Sequence, residues 1–512
     1  MPNEFIIKNG LIVESGTTTV TGSVTATGGF TGSLLGTASV ATSLAGGALT
    51  NFIEGFSSAT QATSFLSASN AAATVNIAIV TKGTGSLLAQ VPDGTTTGGN
   101  ARGANAIDFQ KSRTNANQVA SADNSVILSG FQNRNASPGS FLGGGGQNTL
   151  TANPAGGYDV LVGGLGNSAL SGNGPHFLGG GISNTISSFQ QDSVLVGGRI
   201  NVVSNAQAFL GGGYFNTVSG QYGVIGGGLQ NTTSGQYATI AGGRQNSATA
   251  QYSAVAGGYL NQATGFTSFI GGGDQNYIQS VGTGGNTIAG GRQNSLAGTD
   301  NTADRTIGGG TRNTINADQT VGATICGGIG NTIYFGSAGS IICGGGYAAY
   351  PGGNFLSGFN SALVGGQNSR IGNGYGNYGT YCFIGGGGSN VVDTNSDYSS
   401  IVGGASNIIS GVDYAFIGGG SNNRITTNYS TIGGGFLNTG SAIYSTVAGG
   451  YQAAAGLYGQ QARAAGGFAA GGDAQSHELI WRRLVTGTSP TELFLDGSSV
   501  RAVLPATNII VS

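Results

Sequence analysis

The sequence predicts an all-β protein whose central part is a parallel β-solenoid of about 21 short rungs. The first observation is a phrase that returns about every 15 to 19 residues between 125 and 472: an apolar pair, two or three glycines, two variable residues, then usually Asn. It reads V-I-G-G-G-L-Q-N at 224–231, T-I-A-G-G-R-Q-N at 239–246 and A-V-A-G-G-Y-L-N at 254–261. A unit this short cannot enclose a core, so successive copies must stack and share one. The second is composition: Gly fills 102 of 512 positions and only 7% of residues are charged. The glycines come in runs rather than at every third place, which excludes collagen, and Ile, Val, Leu and Phe recur in phase with them, which argues against a disordered linker.

Four segments follow from the order of these patterns. Residues 1–60 are an N-terminal attachment segment: Phe5, Ile6 and Ile7, an Asn9-Gly10 turn, then Leu11, Ile12 and Val13 predict a β-hairpin, because Asn-Gly supplies the positive φ that tight hairpins need. The Thr/Gly/Ser-rich stretch from Thr17 onward alternates small polar and apolar residues and cannot bury one face alone, so it is expected to intertwine with other copies of the chain. Residues 61–124 are a transition or shoulder, 125–472 the Gly-rich rod, and 473–512 the start of a C-terminal β domain.

Within the rod each rung is predicted to hold two short strands, one through the apolar pair before the glycines and one through Gly-x-x-Asn-Thr-Ile. The residue before the glycines, as at Ile225, Ile240, Val255, Ile270, Ile417, Ile432 and Val447, should form an inward apolar ladder. Counting the Asn position from Asn133 through Asn368 to Asn438, with Ala349, Ala453 and Ala470 in the same slot, gives the 21 rungs. At about 4.8 Å per rung the stack is on the order of 100 Å long. Glycine normally weakens a strand, so its repetition implies that two backbones approach closely there, across a flat roll or between chains.

Two side-chain arrays stand out. The Asn ladder, with Asn216, Asn231, Asn246, Asn261 and Asn276 in its most regular stretch, is expected to be structural, stacked amides donating to one another and to turn backbone. Tyr recurs at Tyr222, Tyr237 and Tyr252 and at Tyr398, Tyr414, Tyr429 and Tyr444, where stacking along the rod is the first reading and glycan contact the second. Insertions break the rhythm. The longest concentrates Tyr375, Tyr378 and Tyr381, and it is the candidate receptor contact, since solenoid insertions emerge as flanking loops.

Much chemistry is missing. Net charge is −2 and Lys occurs only at Lys8, Lys82 and Lys111, so no basic stripe invites nucleic acid. No run approaches 18 apolar residues, so no membrane insertion is expected, and the first residues resemble no secretion signal. No Glu lies between Glu54 and Glu478, and the close pairs Asp300 with Asp304 and Asp393 with Asp397 sit in loop-like stretches, which argues against a paired-carboxylate glycosidase. His176 and His477 have no triad partners nearby. Phrases such as G-G-L-G-N at 163–167 carry Asn where a calcium turn has Asp. No glycine run leads into Lys-Ser/Thr as a phosphate loop does. No catalytic residue, cofactor or metal is expected. Cys326 and Cys343 precede glycine runs in neighbouring rungs and Cys382 ends an insertion; all three are expected to be free, reduced and core-filling, with a disulfide or metal site as the alternative.

The repeat, for example G-G-G-L-Q-N-T-T-S-G-Q-Y-A-T-I-A-G-G at 226–243, resembles the head repeats of trimeric bacterial adhesins. It looks still more like the Gly-Gly-Gly-x-x-Asn arrays of bacteriophage tail-fibre proteins. The phrases G-S-L-L-G-T-A-S at 32–39, N-A-R-G-A-N-A-I-D at 100–108 and S-P-T-E-L-F-L-D-G-S-S at 489–499 are similar to those of phage structural proteins. The resemblance implies a homotrimeric fibre of left-handed β-rolls whose tip or flank touches a host surface. It departs from the adhesin pattern in lacking a signal peptide, coiled-coil stalk and membrane anchor, which favours a particle assembled in the host cytoplasm. The strand-like end at 508–512 suggests that a receptor domain follows.

The expected function is therefore a non-enzymatic fibre of a phage tail or phage-like injection system, located in the virion. Its N-terminus would join baseplate or tail proteins, and its body would attach to a host surface glycan or protein. A cell-surface trimeric adhesin is the alternative, a glycan-degrading tail spike the second, and an ice-binding solenoid the most remote.

Overall fold

The computed structural model describes residues 81 and 83–480, apart from 153–156, 172–173, 188–191, 281–283, 299–303, 317–319, 347–352, 375–378 and 468, together with Phe494. The chain divides into two units, Met1–Ile79 and Val80–Ser512, and every described residue belongs to the second. The expected hairpin and intertwining strands of residues 1–60 lie outside the described residues.

The described residues form a β-solenoid of about 20 turns with no helix. Nearly all strands are two residues long, the first half-exposed or exposed and the second buried, because each side of a coil has room for a single inward side chain before the backbone must turn. Val224–Ile225 pairs in parallel with Phe209–Leu210 below and Thr239–Ile240 above. The Val224 N–H donates to the Ala238 carbonyl and that of Gly226 to Ile240, each at 2.9 Å. Thr232–Thr233 occupies the same place in a second ladder, between Thr217–Val218 and Ser247–Ala248. A third line of contact, not expected from the sequence, consists of single-residue bridges just after the glycines, running Tyr214, Leu229, Arg244, Tyr259.

The first ladder holds 24 strands, the last of them antiparallel, and the second holds 20. The second ladder is open-ended: below Arg134–Ala136 it continues only as a single-residue bridge from Asn135 to Ala120, and Ala454–Ala455 pairs only with the coil below. The inward residues of both ladders merge into one continuous apolar core. Ile225, Ile240, Val255, Ile270, Ile417, Ile432 and Val447 are all at most 1% exposed, as an inward ladder requires.

The rung count from the sequence slips in two places and at the end. The slot assigned to Ala349 is filled by Asn354, whose N–H donates to Asn331 Oδ1 at 3.1 Å. The slot assigned to Asn368 is filled by Ser369, whose N–H donates to Asn354 Oδ1, while Asn368 turns a corner at φ 53°. Insertions of unequal length shift the phase locally, and only the core decides which residue faces in. Past Ala453 the ladder ends: residues 471–474 form a turn, and Gln475–Glu478 runs antiparallel to Gln461–Ala465.

The first described coils close the other end. The parallel stack begins with Leu87–Leu88, ahead of residue 125. In the register shared by Leu88 and Ile127, the inward position is Asp108, fully buried. Arg102 Nε approaches its carboxylate at 2.8 Å and Arg113 Nη2 at 3.2 Å, so the charge stays paired where the core would otherwise meet solvent.

Candidate functional site

Three columns of side chains or backbone run along the coils. The Asn column is wholly interior: Asn216, Asn231, Asn246, Asn261 and Asn276 are at most 1% exposed. Each uses its amide in the same way. Asn231 Oδ1 accepts the backbone N–H of Asn246 at 2.9 Å, and Asn231 Nδ2 donates to the carbonyls of Gly227 at 3.0 Å and Gly243 at 2.9 Å. The ladder is thus mostly amide to backbone. Direct amide-to-amide donation joins it only at some steps, such as Asn276 to Asn261 at 3.1 Å. The amide supplies the partner for the Gly227 carbonyl and the Asn246 N–H and adds a second donor to the Gly243 carbonyl, which already accepts the Leu229 N–H.

The Tyr column is at the surface. Tyr222, Tyr237 and Tyr252 stack at centroid distances of 4.7 and 5.0 Å, with Phe266 edge-on to Tyr252. Tyr381, Tyr398, Tyr414, Tyr429 and Tyr444 form a second stack at 4.9 to 5.1 Å, closed by Tyr458 edge-on. Every stacked Tyr occupies a left-handed corner, Tyr237 at φ 58° and Tyr414 at φ 57°, a conformation costly for a bulky residue. Stacking offsets that cost, because coil spacing brings successive rings to offset-stacking distance. Ring faces within a stack therefore cover one another, and what the column presents to solvent is edges and hydroxyls. Partial desolvation holds the Tyr414 hydroxyl above the usual tyrosine pKa, with help from Tyr398, Tyr429, Asp413 and Asp397.

Polar side chains flank these corners. Gln236 donates to Gln221 at 3.3 Å and Gln251 to Gln236 at 3.1 Å. In the second stack Asp397 Oδ1 accepts the Thr380 N–H and Asp413 Oδ1 the Asp397 N–H, so both carboxylates are engaged by backbone. Asp393 faces Arg370 at 3.1 Å. Of the insertion tyrosines, Tyr381 is the first ring of the second stack, half exposed, while Tyr375 and Tyr378 lie outside the described residues.

The third column is glycine. In the regular runs the glycine three residues before Asn is demanded by the chain itself: Gly228 has φ 99°, and a Cβ there would fall 2.2 Å from the Gly243 carbonyl oxygen. The middle glycine divides into two groups: at Gly180, Gly212, Gly272, Gly309, Gly386, Gly419 and Gly449 φ lies between 145° and 157°, which still favours glycine. At Gly242, Gly290, Gly327, Gly365, Gly403 and Gly434 an added Cβ would meet nothing within 4 Å, and φ is not positive. Neither the turns nor the packing of this chain calls for glycine at those six positions.

Two further expectations are settled by burial. Cys326 and Cys343 are exposed rather than core-filling, since they occupy the outward slot after the inward Ile325 and Ile342; only Cys382 is buried. Its thiol, 2.7 Å from the Ser396 carbonyl, is pushed up to about 12 by burial. His176 is buried, and its Nδ1 accepts the Ser193 N–H at 3.3 Å. Sequence reasoning missed the buried Arg305, which donates to Asn286 Oδ1 and the Ala297 carbonyl; nothing in the repeat marks its slot as inward. Among the described residues no helix is long and apolar enough to cross a membrane, and no three metal-ligating side chains converge.

No protein-family model matches the chain, and no curated protein matches it.

Proposed function

We propose that the chain is a non-enzymatic structural fibre of a phage tail or phage-like injection system, located in the virion, that works as a homotrimer and attaches the particle to a host surface. The observation that carries this reading is the column of middle glycines, a strip free of side chains that the chain's own fold does not require at Gly242, Gly290, Gly327, Gly365, Gly403 and Gly434. Close approach of another backbone supplies a reason, and a second copy has the same axial spacing, so contact can be made at every coil. The resemblance of the repeat to tail-fibre arrays points the same way. The N-terminal 60 residues attach the fibre to baseplate or tail proteins, and the far end or flank meets a host glycan or protein. A long stack with one uniform core suits transmission of contact over distance.

The side chains favour structure over catalysis. The carboxylates of Asp393, Asp397 and Asp413 are engaged by Arg370 and backbone N–H groups rather than facing one another across a cleft. Electron microscopy of particles carrying a label at residue 512 tests the reading: label at the outer end of a tail appendage is expected. Label confined to the surface of uninfected bacteria would overturn it in favour of a cell-surface adhesin.

A further inference from the structure

The outward column beside the glycine strip contains two thiols in succession. Thr324–Ile325 pairs in register with Ile341–Ile342, so Cys326 and Cys343, each the next residue, stand directly above one another on adjacent coils. The Cys326 N–H donates to Ile342 and the Cys343 N–H to Leu363, at 2.9 and 3.0 Å, which fixes both backbones. Both side chains are exposed, and each is followed by a glycine, Gly327 and Gly344, with open space around it. The next slot below is Gly308, which has no side chain to crowd them.

Adjacent parallel strands hold equivalent Cβ atoms about 4.8 Å apart. A disulfide needs Cβ atoms about 3.8 Å apart. Closing one would pinch the coils by about 1 Å against the backbone ladder. A metal ion is the better bridge. Two thiolates each about 2.3 Å from one ion stand about 3.8 Å apart at a tetrahedral angle and about 4.6 Å apart when collinear with it, so two parallel side chains reach a linear two-coordinate ion with little movement.

We propose that Cys326 and Cys343 form a surface dithiol site for one soft, low-coordinate d10 cation of the monovalent copper class. Soft thiolate ligands select such ions, and two ligands complete the shell of a linear centre where they would leave zinc half-bound. Binding breaks two S–H bonds, forms two metal–sulfur bonds and releases two protons, with no change of oxidation state. Because the ion displaces both thiol protons, it binds more tightly as pH rises. Both ligands belong to one chain, so the site needs no residue from a second copy.

The test is an anaerobic competition between full-length protein and a chromogenic Cu(I) chelator. One Cu(I) per chain is expected, with retention at least 10-fold weaker in Cys326→Ser and in Cys343→Ser and unchanged in Cys382→Ser. Both surface substitutions should leave circular dichroism melting unaltered. Equal copper retention by all four proteins, or none by the parent, overturns the site. Mass spectrometry after exposure to oxidised glutathione is the second measurement. Glutathione adducts on Cys326 and Cys343 are expected, whereas an internal disulfide, seen as loss of two hydrogens, would refute the spacing argument.

Discussion

Replacing Asn246 by Leu removes three hydrogen bonds from the middle of the stack. Its Nδ2 donates to the carbonyls of Gly242 at 3.1 Å and Gly258 at 2.9 Å, and its Oδ1 accepts the N–H of Asn261 at 3.0 Å. The losses are unequal. The Gly258 carbonyl keeps the Arg244 N–H as a partner, whereas the N–H of fully buried Asn261 is left with none. An orphaned buried donor costs about 1–3 kcal/mol and each other lost bond about 1 kcal/mol, so about 3–5 kcal/mol is expected in total. The chain contains its own control. At Ser369 the hydroxyl takes over the acceptor role, receiving the Asn390 N–H at 3.3 Å. Asn246→Ser should therefore restore a partner for Asn261 and cost only about 1–2 kcal/mol. Because contacts in a solenoid are between neighbours, the damage is local, and hydrogen exchange read by mass spectrometry is the appropriate assay. The Asn261 amide should exchange about 100-fold faster in Asn246→Leu and much less so in Asn246→Ser. Equal exchange in the two variants, or none above the parent, would refute the assignment of the amide as the acceptor that holds successive coils.

Light scattering should give the mass of a trimer for the full chain, and a stable monomer would rule out the close-contact reading of the glycine strip. Gly242→Ala combined with Gly290→Ala should leave the coil fold intact, because both Cβ positions are open, but shift the assembly toward smaller species in sedimentation. Tyr414 is raised above the usual tyrosine value, so its stabilising contribution is complete below about pH 10 and is lost as pH climbs through the higher folded-state pKa. Absorbance titration should show Tyr414→Phe removing one late-titrating phenol, and no change in the alkaline limb would contradict the shift. Truncation after Gly472 should abolish host binding with the coils still folded, and deletion of 373–382 should weaken it less. Full binding by the truncated chain would move the receptor contact to the flank.

Length of repeat, the apolar pair and the Asn position were enough to read a parallel solenoid, since a 15-residue unit with one apolar inward residue per strand has no other way to bury it. The Asn slots at 216, 231, 246, 261 and 276 were legible for the same reason: unbroken spacing keeps one residue type in one environment. Phase was lost where the spacing changed. Whether Asn354 or Ala349, and Ser369 or Asn368, faces the core depends on how much chain an insertion spends outside the coil, which no local pattern records. Exposure was likewise undecided. Cys326 and Cys343 read as apolar core, yet the slot after an inward Ile points outward, so pleat alternation placed them in solvent. The sequence showed that glycine recurs, and the coil geometry separated its causes. Gly228 is required by its own left-handed backbone, whereas Gly242 is required by nothing within the chain, because only three-dimensional neighbours reveal whether a missing side chain would have had room.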